Sequence, residues 1–86
     1  MDRRKAVLQL DYPCRWTYKV IGSVEGDVRG AVAEVLGDCD HTLSLSNNSR
    51  SGRYLSFKVA LTVHSEAQRV GLYLALSQHR AIKIVL

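Results

Sequence analysis

The sequence predicts an α+β domain in which one four-stranded sheet carries two helices on a single face. Three observations predict it. Four segments alternate apolar and polar residues with the period-two pattern of half-buried strands, while two others space their apolar residues three and four apart, as amphipathic helices do. The segments follow one another as strand, helix, strand, strand, helix, strand. The chain has 86 residues, enough for one such core and too few for two.

The first strand is the segment RWTYKVIG. Pro13 can open a strand but not sit inside a central one. Trp16, Tyr18 and Val20 then point one way and Thr17, Lys19 and Ile21 the other, until Gly22 ends the strand. In the next segment Val28, Ala31, Val32, Val35 and Leu36 form one helical stripe. Glu25 and Asp27 near its start suit the helix dipole, and Gly37 is placed to cap its end. Gly30 inside the helix costs about 1 kcal/mol against alanine, and the expectation is that it admits a close approach by another element.

HTLSLS alternates again, with Leu43 and Leu45 on one side, and NNSRSG is a turn-rich connector. RYLSFKVALTVH carries the clearest alternation. Leu55, Phe57, Val59, Leu61 and Val63 face the core, and Tyr54, Ser56, Lys58, Ala60 and Thr62 face away. Ser65 and Gln68 fit a capping box, in which each side chain satisfies the other residue's free backbone donor. The helix they open runs to about Gln78 and holds two apolar rows, Leu72 with Leu76 and Val70 with Leu74, so one row is expected to stay partly exposed. A final strand AIKIVL is expected to place Ile82, Ile84 and Leu86 inward and Lys83 and Val85 outward.

With right-handed crossovers this order gives a ferredoxin-like βαββαβ sandwich with the antiparallel-type sheet order 4-1-3-2, both helices on one face and the other face open. Residues 1–11, apolar only briefly and charged at both ends, are expected to form a loosely ordered arm, and residues 12–86 the single domain.

The segments YPCRWTYKVIG, SGRYLSFKVALTVHSEAQ and LYLALSQHRAIKIVL resemble the YbeD-like family of bacterial proteins of unknown function, over nearly the whole chain from about Leu10 to Leu86. That resemblance implies the same ferredoxin-like fold, similar to the ACT regulatory domains that bind small metabolites and commonly pair. It implies no catalytic motif and no cofactor, and it suggests a role in metabolic regulation. The sequence departs from the metabolite-binding ACT pattern after the first strand, where GSVEG is a poor match for a glycine-rich turn.

The chemistry legible in the residues is sparse. His41, His64 and His79 have no i, i+4 partner and no cysteine two or four residues away, so a zinc site is disfavoured. Cys14 and Cys39 form no CxxC pair and are expected to be free thiols in a reducing cytosol. No nucleophile has a base implied beside it, so the chain reads as a non-enzyme. No apolar run approaches the roughly 18 residues of a membrane span, and Ala6–Leu10 is too short and interrupted for a signal peptide. The expectation is therefore a cytoplasmic protein without a membrane partner.

Charge supplies the one functional clue. Residues 1–49 hold six basic and seven acidic side chains, whereas residues 50–86 hold six basic ones and only Glu66. Lys19, Lys58 and Lys83 are expected on the open face of three neighbouring strands, fringed by Arg15, Arg50 and Arg53. Such a stripe would bind a small anionic ligand or an acidic protein partner. Nucleic acid is the alternative, disfavoured because Trp16, Tyr18 and Phe57 point inward, so that the open face offers Tyr54 with Ser56 and Lys58 and the platform on which RNA-recognition modules stack bases is largely missing. A weak homodimer, through the second helix or the edge strand, is as consistent with the sequence as a monomer.

Overall fold

The computed structural model describes residues 10–48 and 53–86. Most of the expected N-terminal arm, and Arg50 of the expected basic fringe, lie outside the described residues. Leu10 is half-buried and Tyr12 packs against the core.

The elements are β1 (Cys14–Gly22), α1 (Glu25–Leu36), β2 (His41–Asn48), β3 (Leu55–Val63), α2 (Glu66–Gln78) and β4 (Ile84–Val85). They form one four-stranded sheet in the order β2-β3-β1-β4, the expected order read from the other edge, and every pairing is antiparallel. The fold is the ferredoxin-like βαββαβ sandwich.

Alternation places the core. Tyr18 and Val20 from β1 and Phe57, Val59, Leu61 and Val63 from β3 are buried beneath Val28, Ala31, Val32 and Leu36 of α1 and Leu76 of α2. Trp16, Val35, Leu43, Leu55 and Leu72 pack partly buried around them. β2 contributes less: Leu45 is exposed, and the β2–β3 register shifts between Leu45 and Asn47. Such a bulge bends a strand and blunts a sheet edge.

The helix ends follow their local chemistry. Gly37 takes a positive φ of 54° and its N–H donates to Ala33 O, the C-terminal cap the sequence suggests. At the start of α2, Ser65 Oγ accepts from Gln68 N at 3.0 Å. The return bond differs from the expected box: Gln68 Oε1 accepts from His64 N, one residue before Ser65.

Two expectations are corrected. Gly30 is not a close-approach glycine, since a Cβ there would meet nothing within 4 Å. That role belongs to Gly22, where a Cβ would stand 2.4 Å from Val28 Cγ2 and 2.8 Å from Ala81 O. The second correction concerns the last strand. Ile82 and Val85 are buried, whereas Ile84 and Leu86 are exposed. β4 is only two residues long, and its phase comes from its pairing with β1: Val85 sits opposite the buried Val20, and Ile84 opposite the outward Ile21. Lys83 N donates to Ile21 O at 2.8 Å, so the backbone joins the ladder irregularly just before the strand begins.

The expected surplus apolar row is present. Leu76 is buried, while Val70 and Leu74 remain exposed along with Tyr73. Among the described residues no helix is long and apolar enough to cross a membrane.

Candidate anion-binding face and the groove beside it

The open sheet face is built from the positions of β1 and β3 that point away from the helices. Arg15, Thr17, Lys19 and Ile21 come from β1, and Ser56, Lys58, Ala60 and Thr62 from β3. Lys19 is directly opposite Lys58. Lys19 N donates to Leu86 O, and Leu86 N to Lys19 O, so the backbone groups of Lys19 are turned toward β4. Lys19 and Lys58 therefore form a non-hydrogen-bonded pair, the geometry in which cross-strand side chains come closest. Ser44 of β2 stands on the other side of Lys58. No acidic residue occupies any of these positions, and among the described residues neither ammonium has an ion-pair partner.

The expected basic residues are thus only partly brought together. Lys19, Lys58 and Arg15 share the open face. Lys83 is exposed but precedes β4, and the residue β4 places beside Ile21 is Ile84. Arg53 is exposed in the segment leading into β3. The face carries no aromatic on β1 or β3, because Trp16, Tyr18 and Phe57 all turn inward as expected.

Sequence reasoning missed a second feature on the helix side of β1. An apolar groove of about 310 Å³ is lined by Trp16, Tyr18, Arg69, Val70, Tyr73 and Leu86. It lies beside the part of β1 that, among the described residues, β4 and Leu86 leave unpaired. Arg69 organises it. Its guanidinium lies over the Trp16 ring, 4.8 Å from the centroid, and its Nε donates to the Tyr12 hydroxyl at 3.1 Å. The Tyr18 hydroxyl donates to Arg69 O at 2.6 Å. Burial pushes the Tyr18 phenol above its ordinary value, with the Arg69 guanidinium opposing. The hydrogen bond from Arg69 to Tyr12 holds the guanidinium above its own ordinary value, so its charge is permanent.

Elsewhere the polar features are local. Cys14 and Cys39 are free thiols. His79 Nε2 lies 3.0 Å from Glu34 Oε1, and its Nδ1 accepts from Ala81 N, which ties the end of α2 to α1. Among the described residues no group of three or more His, Cys, Asp or Glu side chains could hold a metal ion.

The family model for a protein of unknown function, DUF493, matches residues 8–86. The chain belongs to the DUF493 family. Curated relatives agree: a UPF0250 protein of Hahella chejuensis is 30% identical, with 99% of this chain and 98% of that protein covered. A UPF0250 protein of Idiomarina loihiensis is 34% identical over 90% of each chain. The resemblance to the YbeD-like group is thereby established. The fold is similar to the solution structure of protein HP0495 from Helicobacter pylori, with a TM-score of 0.82, 23% identity, and coverage of 100% of this chain and 94% of that one. The family description supplies no ligand or reaction, so any function must be argued from the site.

Proposed function

We propose that this DUF493 member is a non-enzymatic regulatory or interaction module that receives an anionic group, a carboxylate or phosphate, on its open sheet face. The observation that carries the reading is the Lys19–Lys58 pair: two lysines directly opposite each other in the ladder, with no acidic residue among the outward positions of β1 and β3; the acid of this side, Asp40, shares a pocket with Arg15 and Thr62. Like charges opposite one another in a ladder are destabilising. An anion bridging the two converts that repulsion into two charge-assisted hydrogen bonds. Thr17 and Ser44 beside the pair offer hydroxyl donors, and Arg15 extends the positive field along β1. β1 and β3 give nucleic-acid bases no aromatic to stack on, and Tyr54 lies just before β3, so the reading stays with small or protein-borne anions rather than RNA.

Calorimetric titration of the 86-residue protein with citrate at low ionic strength tests it. Saturable binding is expected, weakened about tenfold or more in Lys58→Thr and reduced by 0.1 M salt, where the Debye length is about 10 Å. Equal binding by the wild type and Lys58→Thr would refute the assignment.

A further inference from the structure

We propose that the outer edge of β1 between Cys14 and Tyr18 receives an extended segment of a partner protein, in which apolar and acidic side chains alternate. The inference rests on the anion-binding reading for its acidic half, and on the free edge and the groove for the rest.

The edge is read from the ladder. β1 pairs with β3 along its whole length, from Cys14 opposite Val63 to Gly22 opposite Leu55. On its other side, β4 covers only Val20 and Ile21, with Leu86 bonded to Lys19 beyond them. No described residue pairs with β1 on that side from Cys14 to Tyr18. Lys19 and Ile21 turn their backbone groups toward β4. The alternation of an antiparallel ladder therefore turns the N–H and C=O of Arg15 and Thr17 toward the same side, where no described residue pairs with them. A guest strand placed there extends the line of β4 and pairs with these groups, as in β-strand addition.

The two flanks of that edge specify the guest. On the helix side, Trp16 and Tyr18 floor the groove and Val70 and Tyr73 of α2 wall it. On the open side stand Arg15, Thr17 and Lys19, with Lys58 behind Lys19 and no acid among them. Residues opposite one another in a sheet project from the same face. Guest residues opposite Trp16 and Tyr18 therefore enter the apolar groove, and those opposite Arg15 and Thr17 lie among the cations. An alternating apolar–acidic strand satisfies both flanks, whereas a basic or uniformly polar strand satisfies neither. The other sheet edge, β2, lacks this arrangement: it is bulged, and Ser, Thr and Asn dominate its sequence.

The test uses the full chain and two blocked synthetic peptides, one alternating valine and glutamate and one of the same composition with the valines and glutamates in separate blocks. Trp16, the only tryptophan, lies in the groove and reports binding by its fluorescence. Hydrogen exchange at the Thr17 amide reports edge pairing. The alternating peptide is expected to bind at least about tenfold tighter than the block peptide, to slow Thr17 exchange, and to lose about tenfold or more in affinity to Val70→Asp while citrate binding is unchanged. Equal binding of the two peptides, or binding that leaves Thr17 exchange unaltered, overturns the proposal. So does a Thr17 amide already protected without peptide: protection growing with protein concentration would assign the edge to a second copy, and protection independent of it to a segment of the same chain. Citrate binding with no peptide binding sinks this inference and leaves the anion-binding reading intact; loss of both sinks both.

Discussion

Lys19 and Lys58 face each other across the β1–β3 ladder as a non-hydrogen-bonded pair, with no acidic residue among the outward positions of the two strands. A fold selected for stability alone has no use for this arrangement. Replacing one partner should therefore stabilise the protein. Lys58→Thr keeps a residue suited to a strand and removes the repulsion, so stability is expected to rise by about 0.2–1 kcal/mol at low salt. The gain should shrink as salt screens the pair. Urea unfolding of both proteins at two ionic strengths measures it.

Two glycines should respond with opposite signs. At Gly22 an added Cβ meets Val28 Cγ2 at 2.4 Å and the backbone oxygen of Ala81 at 2.8 Å, so Gly22→Ala must push α1 or the entry to β4 away. A loss of about 1–3 kcal/mol is expected. Gly30 lies in α1 with open space around the added methyl, so Gly30→Ala should gain about 0.5–1 kcal/mol. Thermal or denaturant melts of the two variants decide whether the close approach lies where β1 ends.

The Tyr18 phenol gives the protein an alkaline limit. Its folded value lies above its ordinary 10.0 because burial disfavours the phenolate. The unfolded chain therefore releases this proton first. The stabilisation is whole below about pH 10 and is lost as pH rises through the folded value. Tyr18→Phe removes that dependence and also the bond to Arg69 O, costing about 1 kcal/mol at neutral pH. Denaturant melts from pH 7 to 11 should show the wild type losing its advantage over Tyr18→Phe at the alkaline end.

The two apolar rows of α2 should separate by their tolerance of change. Leu76 is fully buried, and Leu76→Ala is expected to cost about 2–5 kcal/mol. Leu74 is 47% exposed, and Leu74→Glu should stay within about 0.5 kcal/mol of the wild type. A large loss from Leu74→Glu with no change in oligomeric state would contradict the assignment of rows.

The sequence made the strands legible where burial is one-sided and long. β3 alternates in sequence over its full length, although Ser56, expected to face away, is buried beside Phe57, and β1 shows which of its residues face the helices. β4 was not legible, because two paired residues are too few to carry a period, and Val20 and Ile21 set its phase from another strand. Gly22 read as a strand end although it is also a contact, since the atoms that crowd it come from α1 and from Ala81. The Lys19–Lys58 pair followed from alternation and strand order. The groove did not: it depends on Arg69 reaching Tyr12, 57 positions away, and on a strand stopping short. Neither leaves a local pattern. Of the residues that line it, Val70 was visible only as part of a surplus apolar row on α2.

The measurement that tests the account most directly is the location of a small anion on the folded protein. In two-dimensional NMR of the 86-residue chain titrated with citrate at low salt, the account predicts saturable shifts at Thr17, Lys19, Ser44 and Lys58, reduced in Lys58→Thr. Shifts confined to other cations, such as Arg80 at the far end of α2, or no saturable shift at the Lys19–Lys58 pair, would contradict it.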